Sequence, residues 1–372
     1  MEILYFCIGD STNASTWSNV PYLFGHELER RGITLRRINL APNQLVSKLY
    51  NKTVLPLSRL FFPGNAYAYN RTALHAFFAN RKIRRAVRGY PNADYCFFIC
   101  FHFYNCFSKI PSLLFCDWTF KHLIEDRFRR KPNIFERRFI RQEHEAINNA
   151  NCILSLFPES AKVMKMDCPN ATIEHFHGNV VNSFYEDTLP PPHKIIEKKI
   201  GKKHILFIGN RGYRSAAVKT AEALQYMDEG TTLDIIGMTA EDVGVDNPRV
   251  KYHGYLRKDV ENERNLYYKL LFEASVVTNT MPQWAGYSSI IESMYYYTPV
   301  LISPFNEFVL EFGEDISFGK YNEEFTPECI AYNLQSMMHS SNYSQLCLNA
   351  HEAVKDYTWK IFTDKVLSMI KR

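Results

Sequence analysis

The sequence predicts an α/β protein built from two doubly wound domains in tandem, and three observations carry that prediction. Short apolar runs recur along the chain, each followed by a polar or glycine-bearing turn and then a stretch of helical period. The cluster Pro190-Pro191-Pro192 interrupts this rhythm near the middle, where neither sheet nor helix continues easily. The 372 residues are enough for two separate cores.

The first run, Ile3 to Ile8, leads into the polar turn Gly9 to Ser15 and a helical stretch through Tyr22, Leu23, His26, Glu27 and Leu28. Gly32 stops that helix, and Thr34 to Leu40 reads as the next strand. Strands follow at Ala93 to Phe103, Ser112 to Asp117 and Cys152 to Phe157, with a helix over Glu136 to Asn149. This places an N-terminal domain over 1–185 and a linker over about 186–200. A second domain over 201–356 opens with the buried strand His204 to Gly209 and a helix from Ser215 to Met227. Leu233 to Gly237, Val250 to Gly254, Ala274 to Thr278 and Pro299 to Ser303 are its further strands. The end of the chain, 357–372, has apolar residues at helical spacing.

With 46% apolar and 22% charged residues the chain is globular rather than disordered. Its net +5 is too mild to argue for nucleic acid, and no RNA-binding motif is present. No run approaches the roughly 18 apolar residues of a membrane span. The first residues lack a basic segment and read as a strand, so a cytoplasmic protein is expected. Nine cysteines fit reduced thiols better than a disulfide framework. Cys96, Cys100, Cys106 and Cys116 lack paired zinc-ligand spacing and read as packing residues. The five Asn-x-Ser/Thr triplets read as chance matches.

Open α/β sheets bind ligands at the carboxyl ends of their strands. There the second domain carries Gly209-Asn210-Arg211-Gly-Tyr-Arg214, a glycine turn before a helix with two arginines suited to a diphosphate. The alternative is a surface turn merely decorated with arginine. No P-loop pattern occurs, and neither opening turn completes G-x-G-x-x-G, which argues against a dehydrogenase. The second candidate is Trp284-Ala-Gly286-Tyr287-Ser288-Ser289-Ile-Ile-Glu292. Ser289 and Glu292 form a capping-box pattern, and the same helix start offers donors to phosphate and a carboxylate to ribose hydroxyls.

The landmarks Ile205 to Gly209, Leu233 to Gly237, Val250-Lys-Tyr-His-Gly254 and Gly286-Tyr-Ser-Ser-Ile-Ile-Glu292-Ser-Met-Tyr-Tyr-Tyr-Thr-Pro299-Val together resemble the nucleotide-binding domain of retaining glycosyltransferases of the GT-B fold. The family is the large "glycosyl transferases group 1", whose last stretch commonly reads E-G-F-G-L-P-x-x-E-A-M-A-x-G-x-P-V. The resemblance implies two Rossmann-like domains facing across a cleft, with the last helix crossing back to the first. It implies Glu292 on the donor ribose, Ser288 and Ser289 at the diphosphate, and Tyr255 and Leu256 beside the nucleobase. Gly9, Gly209, Asn210, Gly286 and Tyr287 complete the expected donor set. Three departures stand out: the family's first glutamate falls on Trp284, which leaves Gln283 for the sugar; Asn210 interrupts the usual G-R turn; and Ser215 replaces the phosphate lysine. Arg211 and Arg214 are the expected replacements, with Lys219 a further possibility.

In the first domain His102 and Asp117 each follow a strand, and they are the catalytic candidates there, with core or rim packing as the alternative. Trp359 is expected to pack rather than to line the site. Residues 71–141 hold 15 Lys or Arg against 5 Asp or Glu, interleaved with phenylalanines. Such a face suits an anionic membrane surface or a pyrophosphate-bearing acceptor; the alternative is a solvated helix face with pairs such as those of Glu136.

The expected activity is therefore retaining transfer of a sugar from a nucleotide-diphosphate donor, UDP- or GDP-linked, to a saccharide or lipid-linked acceptor. The resemblance places it in bacterial surface-polysaccharide assembly. No cofactor or metal is expected, since no Asp-x-Asp pair is present. The alternatives are a nucleotide-sugar epimerase of the same fold and an inactive membrane-attached scaffold.

Overall fold

A computed structural model describes residues 1–185, 188–282 and 287–370. The chain divides into two units, Met1–Gly178 with Thr363–Arg372, and Asn179–Phe362. The first contains six strands: β1 (Glu2–Cys7), β2 (Thr34–Asn39), β3 (Tyr95–Ile99), β4 (Ser112–Cys116), β5 (Cys152–Ser155) and β6 (Ile173–Glu174). They pair in parallel in the order β2-β1-β3-β4-β5-β6. Parallel pairing needs crossovers, and the crossover helices bury both faces of the sheet. This is why β1, β3, β4 and β5 are nearly continuous apolar runs. The edge strand β2 instead exposes alternate positions and carries Arg36 and Arg37, which discourage further pairing.

The second unit repeats the plan with β7 (His204–Ile208), β8 (Thr232–Ile236), β9 (Val250–Gly254), β10 (Val276–Asn279), β11 (Val300–Ile302) and β12 (Gly319–Tyr321). Their order is β12-β11-β10-β7-β8-β9, again parallel. Its core packs Ile205 and Phe207 of β7 with Ala216, Ala217 and Ala221 of the helix Arg214–Ala223 and with Ile330 and Leu334 of Pro327–Met338. In each sheet the strand order reverses once: beside β1 in the first unit, and beside β7 in the second, between it and β10. A crevice opens at the carboxyl ends at such a point.

Two expectations need correction. The stretch 186–200, expected as a linker that a proline run keeps out of regular structure, holds a short helix: Glu186 and Asp187 lie outside the described residues, but Pro192–Glu197 is a helix with Pro at its start. Its Ile195 and Ile196 are buried with Tyr297, Tyr343 and Cys347 of the second unit. The helix expected from Ser215 to Met227 ends at Ala223 and tightens into a 3₁₀ turn, Leu224–Tyr226. The C-terminal helix Trp359–Ile370 starts in the second unit and belongs to the first from Thr363 onward. Trp359 is buried and donates its indole N–H to Asn182 Oδ1 at 3.1 Å, as a packing residue does. All nine cysteines are unbonded, with Cys96 and Cys100 in the first core.

Candidate functional site

On the β7 side of the second unit's reversal point, the ends of β7, β8 and β9 close on one another through glycine. Gly209 N–H donates to Ile236 O (3.0 Å), Gly237 N–H to Gly254 O (2.6 Å), and Gly254 N–H to Met238 O (3.1 Å). Gly237 has φ +98°, and a Cβ there would fall 2.4 Å from the Gly209 carbonyl oxygen, so no other residue fits without moving the turn. Asn210 accepts the Gly212 N–H on its side-chain oxygen at 2.8 Å, which starts the 3₁₀ turn Arg211–Tyr213 and then the helix Arg214–Ala223. Ser215, on the first turn of that helix, lies 3.3 Å from Met281 Sδ in the segment that leaves β10. The two sides of the crevice therefore touch.

Both arginines of the turn lean on the next loop. Arg211 Nε lies 2.6 Å from Asp242 Oδ1, with the side chain 80% exposed. Arg214 donates to the Asp242 carbonyl (2.5 Å) and the Val243 carbonyl (3.1 Å). Lys219 lies further along the helix and pairs with Glu222 at 3.2 Å. After β9, Tyr255 is exposed and Leu256 is buried.

On the other side, Gln283, Trp284 and Gly286 lie outside the described residues. The helix Ser288–Tyr295 begins directly after Tyr287, which provides no side-chain cap. The expected capping box is therefore absent. Ser289 is the second helical residue rather than the cap, and Glu292 points elsewhere. Tyr287 is fully buried, with its ring 5.4 Å from Phe308 and 5.9 Å from Phe305, so its side chain packs and its backbone is the part that could meet a ligand.

Glu292 is 1% exposed, and both its oxygens lie 2.7 Å from Lys258 Nζ. Its Oε2 also accepts from Tyr267 OH at 2.8 Å. A carboxylate has about four lone-pair sites, and three are taken. Bidentate acceptance from a ribose diol is thus not available in this arrangement. Lys258 completes its own shell with Asn182 O (2.9 Å) and lies 4.3 Å above the Tyr267 ring. Burial pushes its ammonium below the ordinary lysine value, and the Glu292 charge pulls it back up. Burial, then Glu292, push the Tyr267 phenol well above its ordinary value. Sequence reasoning missed Lys258, one of several cations in a basic stretch; the usable signal was the need of a buried glutamate for a cation.

In the first unit Gly9 has φ +133°, and its N–H donates to Asn39 Oδ1 at 3.2 Å. The chain then passes through Trp17, Ser18 and Asn19, all with positive φ, which is a strained turn beside the reversal point. His102 lies three residues past β3, with its ring 4.5 Å from Phe103 and 4.9 Å from Phe139. Its buried Nε2 has no hydrogen-bond partner among the described residues, and burial, then His75 and Arg71, push the imidazole down to about 3. With Arg138, Arg141, Gln142 and Glu145 it lines a cavity of about 350 Å³. Asp117 follows β4 and accepts from the Trp118 N–H (2.8 Å) and the Cys116 thiol (3.2 Å). Burial raises its carboxyl.

No protein-family model and no curated protein sequence matches the chain. Among solved structures it is similar to sucrose-phosphate synthase from Thermosynechococcus elongatus, with TM-score 0.67 and 13% identity over 100% of this chain and 98% of the other. It is likewise similar to WaaG, a glycosyltransferase involved in lipopolysaccharide biosynthesis (0.64, 13%, 99% and 98%). Anabaena HepE, solved in complex with UDP, is a third (0.61, 14%, 100% of each chain). The chain has the GT-B fold of these glycosyltransferases.

Proposed function

We propose that the chain is a cytoplasmic, retaining, metal-independent glycosyltransferase. It moves a sugar from a nucleoside-diphosphate donor, UDP- or GDP-linked, to a hydroxyl of a saccharide or lipid-linked acceptor in bacterial surface-polysaccharide assembly. The observation that carries this reading is the second unit's reversal point, where a glycine-closed turn bearing the exposed Arg211 follows β7 and the helix that begins at Ser288 follows β10, in a fold whose solved neighbours include a UDP complex. As the sugar leaves, charge builds on the diphosphate. Amides of Ser288 and Ser289 and the Arg211 guanidinium then stabilise the transition state more than the ground state. Removing one such donor costs about 2–4 kcal/mol of barrier. The leaving phosphate is itself a base for the incoming hydroxyl, so His102 and Asp117 need only orient the reacting groups.

One observation favours a second reading, a chain that keeps the fold without turnover: Lys258 occupies the glutamate expected on the ribose. Thermal unfolding in EDTA with UDP, GDP, ADP, CMP or dTDP separates the two. A nucleotide at about 100 times its dissociation constant stabilises the protein by roughly 2.7 kcal/mol. Stabilisation by one base, with consumption of its sugar derivative in EDTA, is the expected result. Binding without consumption supports the second reading, and no stabilisation by any of the five overturns the donor site.

A further inference from the structure

The helices Gln44–Lys52 and Val54–Phe61 of the first unit are amphipathic the wrong way round. Within them only Leu55 is buried. The groups that tie them to the domain are largely polar. Tyr50 OH donates to Tyr67 O, Asn51 Oδ1 accepts the Tyr69 N–H at 3.1 Å, Ser58 Oγ accepts from Asn65 Nδ2 at 2.8 Å, and Arg59 Nε donates to Asn65 O at 3.0 Å. The apolar side chains point the other way: Leu45 is 77% exposed, Leu49 66%, Leu60 76% and Phe61 75%, with Leu57 also exposed. In each helix these positions recur at three- and four-residue spacing, so they form a stripe rather than scattered contacts. A folded chain leaves such a stripe in water only when something else covers it.

We propose that these paired helices seat the first unit on an anionic lipid bilayer, lying in the headgroup layer with the stripe inserted. Charge identifies the occupant. The helices carry Lys48, Lys52 and Arg59 and no acidic residue. From Arg30 to Ala93 the chain holds thirteen Lys or Arg and no Asp or Glu. A second copy docked symmetrically on this face would bring like charges together, which disfavours self-association. An anionic membrane satisfies both the apolar stripe and its cationic border. The helix Ala73–Gly89 likewise exposes Phe77 and Phe78, with Arg81 and Arg85 exposed one and two turns further on. The surface thus begins upstream of the basic 71–141 region expected from sequence, and apolar side chains form much of it.

The test is co-sedimentation of the full chain with phosphatidylcholine vesicles, with and without phosphatidylglycerol. Binding to the anionic vesicles, weakened by salt and much poorer on neutral ones, is expected. Leu60→Gln with Phe61→Gln, both largely exposed positions whose replacement leaves the unfolding midpoint unchanged, lowers the partition coefficient about 100-fold. Lys48→Gln with Lys52→Gln lowers it about tenfold on anionic vesicles only. Failure to sediment with anionic vesicles, equal binding to neutral ones, or binding indifferent to Leu60 and Phe61 overturns the proposal. So does a dimer in solution that Leu60→Gln with Phe61→Gln dissolves while vesicle binding persists. Nucleotide binding enters none of these readouts, so the donor site and the membrane surface fail independently.

Discussion

Glu292 and Asp234 of the second unit and Glu143 of the first are buried in opposite ways. In the second, Glu292 is locked between Lys258 and Tyr267, and Asp234 lies between His204 and His253. Burial alone would raise the Asp234 carboxyl; the two histidine bonds outweigh it and hold the group ionised. In the first, Glu143 is equally buried, but its carboxyl accepts only the Phe120 N–H at 2.7 Å among the described contacts. Burial pushes it up to about 8 against that bond and the Arg71 charge. His102, in the same unit, is pushed the other way for the same reason. In the second unit, then, a cation or a pair of imidazoles stands beside each of these two buried carboxyl groups. Around Glu143 and His102 the first unit instead holds groups kept neutral by burial, while its buried Glu136 is paired with Arg130. A site for a dianionic leaving group gains from rigid charge, whereas a site for an uncharged sugar hydroxyl gains from neutral hydrogen-bonding groups.

The largest test of this contrast is Lys258→Met. It leaves the Glu292 carboxylate buried with a phenol and no cation, which costs about 3–5 kcal/mol in urea unfolding of the second unit. Adding Glu292→Gln to the same chain recovers more than half of that loss, because the uncompensated charge is gone. If Lys258→Met alone costs under about 1 kcal/mol, the pair is not the fixed charge that the contrast requires.

The next test is pH. A carboxyl whose folded pKa lies above its unfolded value binds more protons when folded, so its contribution falls as pH rises from the unfolded to the folded pKa. For Glu143 that window runs from 4.5 to about 8. His102 has the opposite sign, gaining stability as pH rises from about 3 to 6.5, and is silent above that. Lys199, buried and pushed down to about 7, also opposes Glu143 above neutrality, but it belongs to both chains being compared. Glu143→Gln therefore gains about 2 kcal/mol on the wild type between pH 6.5 and 8. Urea midpoints at those two pH values measure the gain. A constant difference between the chains would mean that Glu143 is ionised throughout.

The sheets were readable because parallel strands buried on both faces are continuous apolar runs, and His204–Ile208 or Ser112–Cys116 has no other reading at that length. The strands β6 and β12 were not, since two or three edge residues carry no pattern. Gly209 and the helix start at Ser288 were legible as turn chemistry. The partners of the charged residues were not, because Lys258 and Glu292 are 34 residues apart and meet only through the fold. The helices over Gln44–Phe61 went unread for a different reason: their apolar spacing is ordinary, and only the structure shows that it faces outward. Glu136, read as one partner in solvated pairs, is instead fully buried. It caps its own helix with Asn133 and takes both Arg130 nitrogens, at 2.6 and 2.7 Å.

The smallest effect on stability sharpens the contrast from the ligand's side. Arg211 is a fixed charge that is not buried, and its pairing with Asp242 is an exposed contact of the kind that contributes little to folding. Arg211→Ala should therefore leave the unfolding midpoint where it is. Its guanidinium keeps further N–H donors for a diphosphate, and a charge-assisted hydrogen bond of that kind is equivalent to about tenfold or more in affinity. A nucleoside diphosphate that stabilises the wild type should bind Arg211→Ala about tenfold more weakly, as read by titration calorimetry. Unchanged affinity would reduce Arg211 to a surface residue and move the diphosphate onto the Ser288 helix start alone, where backbone amides rather than side-chain charge would have to hold it.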